Sequence, residues 1–350
     1  MIAASTKSGQ LEASPQRMRW QQALAEAIAD PFELCDMLGL DATFAEAAAS
    51  TLARTGKFPL RVPRGFVARM RRGDPNDPLL LQVLPVTAEL NQAEGFGLDP
   101  VGDLHSAKAA GLLHKYSGRV LLVTTGACAV HCRYCFRRHF PYGEESALLD
   151  GWRSSIEQIR ADPSVSEVIL SGGDPLSLSD RRLHQLGEEL ADIPHVRRLR
   201  IHTRYPVVLP ERVDAGLLQW LAGLRLQKVV VIHANHAQEL DGQVRDACAA
   251  LANAGAMLLN QSVLLAGVND SVETLAALSE ALFAINVLPY YLHVLDRVEG
   301  AAHFDLSEGR AMQLHAGLLQ VLPGYLVPKL VREIPGAASK TPVTPHQGSY

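Results

Sequence analysis

Three cysteines, Cys128, Cys132 and Cys135, fall within eight residues of one another in the run Thr124-Thr125-Gly126-Ala127-Cys128-Ala129-Val130-His131-Cys132-Arg133-Tyr134-Cys135-Phe136-Arg137-Arg138. Soft thiolates suit iron or zinc. A four-iron cluster held by protein alone takes four thiolates, so three leave one metal position to another ligand. The plainer alternative is a structural zinc site of three cysteines and a histidine, completed by His131 or His139. A second candidate is Leu170-Ser171-Gly172-Gly173-Asp174-Pro175-Leu176. Its paired glycines expose backbone and Asp174 offers a carboxylate, a cradle for a cationic amine beside a metal group. Alone, the string also reads as an ordinary turn. Lys340, near the end of the chain, reads without further context as a solvated tail lysine.

These residues need elements to position them. Apolar strand candidates at 119–125, 167–171, 197–203, 228–234, 256–262 and 285–291 alternate with helical text near 145–160, 179–191, 211–222, 238–254, 271–282 and 307–317. Such alternation calls for a parallel sheet covered by helices, with ligand groups gathered at the carboxyl ends of the strands. Six βα units fall two short of a closed eight-unit barrel. The expected fold is therefore α/β, an open or partial barrel, with a doubly wound sheet as runner-up. The cysteines directly follow the strand VLLVTT, which puts them above the sheet's carboxyl edge. Residues 1–105 read as a helical and irregular N-terminal region, 106–330 as the barrel and 331–350 as a C-terminal segment. Ser14-Pro15 is a helix start, after which Trp20, Leu24 and Ile28 recur every four residues on one face. From Ile334, the residues Pro335, Gly336, Pro342 and Pro345 predict a loosening terminus.

Composition narrows the class. At 350 residues, 47% hydrophobic and 20% charged, the chain is globular and not disordered or fibrous. A formal charge of -4 argues against a broad nucleic-acid surface. No apolar run reaches about 18 residues and the start lacks a signal-peptide core, so no membrane partner is expected and the cytoplasm is the expected compartment. Five cysteines, an odd number with three clustered, fit metal ligation in a reducing compartment better than a disulfide framework. Cys35 and Cys248 sit in helix-like apolar patterns and read as buried thiols.

The spacing C-x3-C-x2-C, with an aromatic before the last cysteine and a strand before the first, resembles the signature of radical S-adenosylmethionine (SAM) enzymes. The resemblance implies a TIM-like barrel of six units and a [4Fe-4S] cluster with one open iron. That iron would bind the methionyl amine and carboxylate, and the reduced cluster would cleave the sulfonium to a 5'-deoxyadenosyl radical. Further blocks bring the chain close to the lysine 2,3-aminomutases: His114 to Arg119, Phe136-Arg137-Arg138, Ser171 to Leu176, Asn260 to Asp270, Pro289-Tyr290-Tyr291-Leu292 and Gly336 to Thr341. The likeness covers roughly residues 105–345. It implies pyridoxal 5'-phosphate as a further cofactor, with Lys340 as the Schiff-base lysine, Arg119 contacting the phosphate and Tyr116 against the ring. Gly172, Gly173 and Asp174 match the segment that holds the methionyl amine, and His233 and Gln261 match SAM contacts. Arg137 matches the clamp on the carboxylate of free L-lysine. Asp296 and Glu333 match two acids that hold the substrate ammonium, with Glu333 standing where the usual pattern has aspartate. Arg133 and Arg138 read as generic rim charges.

Departures refine the resemblance. Longer clostridial-type relatives carry further cysteines that bind zinc; here Ser271 occupies one such position and no cysteine follows it, so no structural zinc is expected. The short form resembles the enzyme that makes β-lysine, as the R enantiomer, for modification of translation elongation factor P by a separate ligase. A cellular electron donor is implied, and a homo-oligomer is left open. The competing readings are a catabolic or osmolyte-producing lysine aminomutase, an aminomutase for another amino acid such as glutamate, and a cluster-bearing protein that is not an enzyme.

Overall fold

The computed structural model describes residues 15–56, 58–109, 111–143 and 152–344. Its centre is one ten-stranded sheet in sequential order, β1 (Ala107–Ala109), β2 (Leu112–Tyr116), β3 (Arg119–Thr125), β4 (Glu167–Gly172), β5 (Arg198–Thr203), β6 (Gln227–Ile232), β7 (Ala256–Val263), β8 (Leu288–His293), β9 (Lys329–Arg332) and β10 (Thr341–Pro342). Strands β3 to β9 run parallel, while β1, β2 and β10 pair antiparallel at the two edges. Because β1 and β10 are the sheet's two ends, the barrel is partial.

Helices Arg153–Ala161, Asp180–Ala191, Ala215–Gly223, Gly242–Asn253 and Val272–Ala284 fill the connections from β4 onward and the one before it, and Glu308–Val321 follows β8. The six expected βα units are all present. Residues 145–151 of the first expected helix lie outside the described residues, and the last expected strand is displaced to Leu288–His293. Helix starts follow local chemistry. The Asp214, Asp241 and Ser271 side chains accept backbone N–H bonds at their N-caps, which satisfies donors that have no intrahelical partner. Ser271, matched by resemblance to a zinc cysteine, is thus a helix cap.

Two expectations are corrected. Ile28 does not extend the first helix, which ends at Ala25; it pairs with Val62 in an isolated bridge while Trp20 and Ile28 are both buried. The tail does not loosen at Ile334. Thr341 and Pro342 fold back onto Arg332 and Val331, and Val343 is buried, because a short return strand covers apolar surface that an extended tail would leave wet. Residues 345–350 lie outside the described residues.

The N-terminal helices Pro15–Ala25, Pro31–Leu38 and Ala42–Thr55 share one hydrophobic cluster with the barrel: Ile28, Leu34 and Phe66 belong to the same core as Tyr205, Leu217 and Cys248. Cys35 and Cys248 are buried within it, as their patterns predict. Among the described residues, no helix is long and apolar enough to cross a membrane.

Candidate active site

A cavity of about 480 Å3 opens at the carboxyl ends of the parallel strands, within the range of small-molecule sites. The site residues that the resemblance implies line it: the three cysteines on the loop after β3, Gly172 at the end of β4 with Gly173 and Asp174 just beyond it, His233 after β6, Gln261 on β7, Asp296 after β8, and Glu333 and Lys340 around the return to β10. Tyr116 and Arg119 enter from the hairpin of β2 and β3, and Arg137 from the cysteine loop.

The cysteine loop and the turn after β4 press together. A Cβ on Gly173 would lie 2.5 Å from the Ala127 carbonyl oxygen, and one on Gly172, whose φ is +118°, 2.6 Å from that of Thr125. These glycines are required by backbone contact with the loop. A Gly173→Ala variant is expected to lose about 1–3 kcal/mol of stability and to reconstitute less iron, read by thermal melting and iron analysis. Asp174 braces the same junction. It accepts from Thr203 Oγ1 at 2.7 Å, Arg204 N at 2.7 Å and Leu176 N at 3.0 Å, and burial still pushes its carboxyl up to about 6.

Arg133 and Arg138 are not rim charges. Both are buried and share Glu89, with Arg133 Nε to Glu89 Oε1 at 2.8 Å and Arg138 Nη2 to Glu89 Oε2 at 2.8 Å. Both guanidiniums also lie 5.0 Å from the Phe58 ring centre. The segment bearing Phe58 and Glu89 therefore fastens the cysteine loop, a task that exposure-based reading of two arginines in a polar run does not reveal.

Three thiols at this spacing can serve a single metal ion or an iron–sulfur cluster. His131 Nδ1 bonds the Pro59 carbonyl at 2.9 Å and His139 Nε2 that of Glu299 at 3.2 Å. Among the described residues, no three His, Cys, Asp or Glu side chains gather to hold a single metal ion. A four-iron cluster asks less convergence, since each thiolate binds its own iron, and Cys128, Cys132 and Cys135 all line the one cavity. Three thiols on one cavity wall fit that group.

The other wall carries charge. Lys340 Nζ donates to Glu333 Oε2 at 2.8 Å, and Tyr116 Oη donates to Glu333 Oε1 at 2.8 Å. Lys115, which the sequence reading left without a role, pairs with Asp103 at 2.6 Å and reaches Glu333 at 3.4 Å. Asp103 also accepts from Arg137 Nε at 2.6 Å, while Arg137 Nη1 donates to Ser171 at 3.0 Å. Burial pushes the Asp103 carboxyl up, but Arg137 and Lys115 outweigh it and hold it below the usual range. Glu333 is likewise held low, against burial, by Lys340 and Lys115. Asp296 differs: burial, with Lys340 partly offsetting and Glu333 adding, pushes it up to about 7.

A planar aromatic cofactor has matching surfaces here. The Arg119 guanidinium lies 4.8 Å from the Tyr116 ring centre, and Tyr291 has the Lys340 ammonium at 5.8 Å on its ring. A primary amine, a phosphate-sized cation and aromatic faces in one cavity fit a pyridoxal group. Three strand-end histidines, His202, His233 and His293, are kept neutral by burial, His233 down to about 3. His233 Nε2 is bonded with Tyr134 Oη at 2.7 Å, which fixes the ring on the cavity wall.

Comparison with known proteins shows what the chain is similar to. Residues 122–278 match the family described as the radical SAM superfamily. The chain is 49% identical over 330 residues to the L-lysine 2,3-aminomutase of Escherichia coli strain K12, covering 94% of this chain and 96% of that protein. It is 45% identical over 326 residues to the L-lysine 2,3-aminomutase of Haemophilus influenzae, covering 93% and 96%. Among solved structures, a radical SAM methyltransferase from Sphaerobacter thermophilus aligns with 63% of this chain and 68% of its own at 16% identity and a TM-score of 0.44.

Proposed function

The chain belongs to the lysine 2,3-aminomutase family of radical SAM enzymes, and from that premise we propose that it isomerises free L-α-lysine to β-lysine in the cavity described. Members of this family use a [4Fe-4S] cluster, SAM and pyridoxal phosphate. When bound, the cluster and SAM supply a 5'-deoxyadenosyl radical able to take a hydrogen atom from carbon. Pyridoxal phosphate supplies an aldehyde and a conjugated ring for the migrating nitrogen.

The observation that carries the reading is the pairing of opposite charges across one cavity. Arg137 has Nε committed to Asp103 and Nη1 to Ser171. Its remaining donors are left for a carboxylate, a charge-assisted contact of the strong kind. Glu333 and Asp296 supply the anionic end. Glu333 pairs with the Lys340 ammonium at 2.8 Å, so this carboxylate is placed to hold an alkylammonium inside the cavity. Cys128, Cys132 and Cys135 hold the cluster; Gly172, Gly173, His233 and Gln261 face SAM; Tyr116 and Arg119 orient the pyridoxal ring and phosphate. Such fixed placement matters because a carbon radical attacks whichever C–H bond lies nearest.

The charge pattern separates lysine from glutamate, whose side-chain carboxylate would face Glu333 and Asp296. Titration of the pyridoxal-loaded protein with L-lysine, without reductant, is expected to change the visible absorbance at concentrations at which L-glutamate does not. Equal responses to both would refute the substrate assignment.

Asp296 adds a pH signature. Its carboxyl must be ionised to hold an ammonium, so kcat/KM for lysine is expected to rise with pH and level off above about 7. The sign for stability is the opposite. A folded-state pKa raised above the ordinary aspartate value means the native state binds the extra proton, so stability falls as pH rises from about 4 toward 7. An Asp296→Asn variant should therefore melt higher than wild type at pH 8 while losing lysine affinity. A flat kcat/KM profile between pH 6 and 8 would contradict this.

Two finer assignments belong to the same proposal: that the product is the R enantiomer, and that it supplies a separate ligase that modifies elongation factor P. The resemblance of the sequence to the enzyme that serves that modification supports both. Chiral chromatography tests the first, and the intact mass of elongation factor P from cells with and without the gene tests the second.

A further inference from the structure

Behind the cysteine loop lies a polar network that the substrate reading does not use. Arg204 follows β5 directly and its Nη1 donates to Cys132 Sγ at 2.7 Å. Its Nη2 donates to Gln82 Oε1 at 2.7 Å and Glu239 Oε2 at 3.0 Å. Glu239 is fully buried and is itself fixed by the backbone N–H groups of Asn235 at 2.8 Å and His236 at 3.1 Å and by the Gln82 amide at 3.2 Å. Gln82 in turn accepts from Asn235 Nδ2 at 3.0 Å, and its backbone carbonyl accepts from Arg133 N at 2.8 Å. The guanidinium lies against the rings of Phe66 and Tyr134, at 5.4 and 5.8 Å from their centres. It is held on several sides and cannot swing away from the sulfur.

We propose that Arg204 and Glu239 form a fixed charge pair that sets the reduction potential of the iron–sulfur cluster through Cys132. The inference rests on the reading that the three cysteines hold that cluster. One-electron reduction by an external donor adds negative charge to the cluster and its sulfurs. An N–H donor on a ligating sulfur stabilises that added charge and raises the potential, and net charge nearby acts in the same sense. Glu239 works in the opposite direction from behind the guanidinium, so the pair delivers a hydrogen bond to Cys132 without a full unbalanced positive charge. Arg204 and Glu239 are positioning residues: they act on the cluster through the sulfur and touch no reacting carbon. Gln82 ties the pair to the N-terminal region, which thereby takes part in tuning the cluster as well as in fastening its loop.

The test is a redox titration of the full chain, reconstituted anaerobically without SAM and followed by electron paramagnetic resonance, with iron and sulfide measured on each sample. Arg204→Gln removes the donor charge and leaves Glu239 unbalanced, so its potential is expected to become more negative. Glu239→Gln leaves Arg204 unbalanced, so its potential is expected to become more positive. Arg204→Lys keeps the charge but not the fork and should fall between wild type and Arg204→Gln. Opposite shifts at wild-type iron content are what a merely structural network would not produce. Shifts of the same sign, or no shift, at wild-type iron content would overturn the proposal. If Arg204→Gln retains no iron, Glu239→Gln decides: a potential that is unchanged or more negative overturns it. A wild-type chain that takes up no cluster would instead overturn the cysteine reading beneath it.

Discussion

Replacing Lys340 with alanine is expected to abolish β-lysine formation, by about a thousandfold or more, and to remove the visible absorbance of covalently held pyridoxal. The cavity contains two candidate amines, Lys115 and Lys340. Lys115 pairs with Asp103 at 2.6 Å, donates to the Val101 carbonyl at 2.8 Å and reaches Glu333 at 3.4 Å. Its amine is spent on holding the wall together. Lys340 has the Glu333 carboxylate as its hydrogen-bond partner and sits on the short return to β10, with its amine on the cavity wall. Borohydride reduction of the loaded protein followed by peptide mapping should find the pyridoxyl group on Lys340. Finding it on Lys115, with activity kept in Lys340→Ala, would reverse the assignment.

The second large effect concerns the thiols. Alanine at Cys128, Cys132 or Cys135 is expected to lower the iron bound after reconstitution and to eliminate 5'-deoxyadenosine formation to below detection, because each thiolate anchors a separate iron. Alanine at Cys248 is the matched control. That thiol is buried in the Gly242–Asn253 helix among apolar neighbours, so its variant should bind iron as wild type does while melting slightly lower. Equal loss of iron from Cys248→Ala and Cys132→Ala would mean that iron uptake reports general instability, and the ligand assignment would fail.

The parallel strands were legible because their apolar runs recur with helix-length gaps, and the cysteine loop because three soft ligands at close spacing have few structural uses. The residues that line the cavity with opposite charge were legible by resemblance, residue by residue. What stayed hidden has physical reasons. Asp103, Lys115 and Glu89 lie far in sequence from Arg137, Glu333 and Arg133, and nothing in local composition announces an ion pair formed across 34 to 218 residues. Arg133 and Arg138 looked like solvated charges because Arg usually is exposed; burial came from a partner that the N-terminal region supplies. The glycines after β4 carried the right position and a different physical duty, since their requirement is contact with the Ala127 and Thr125 carbonyls. The edge strands β1, β2 and β10 were missed because they are short and end in turns, and β10 holds a proline that helical or apolar periodicity does not flag.

The measurement that bears most directly on the central claim is an anaerobic assay of the reconstituted chain with SAM, pyridoxal phosphate, a strong reductant and free L-lysine, followed by chiral chromatography of the products. Arg137, Glu333 and Asp296, with the thiols and Lys340 in the same cavity, predict β-lysine. With cluster and pyridoxal occupancy verified, the appearance of neither β-lysine nor 5'-deoxyadenosine would contradict the account.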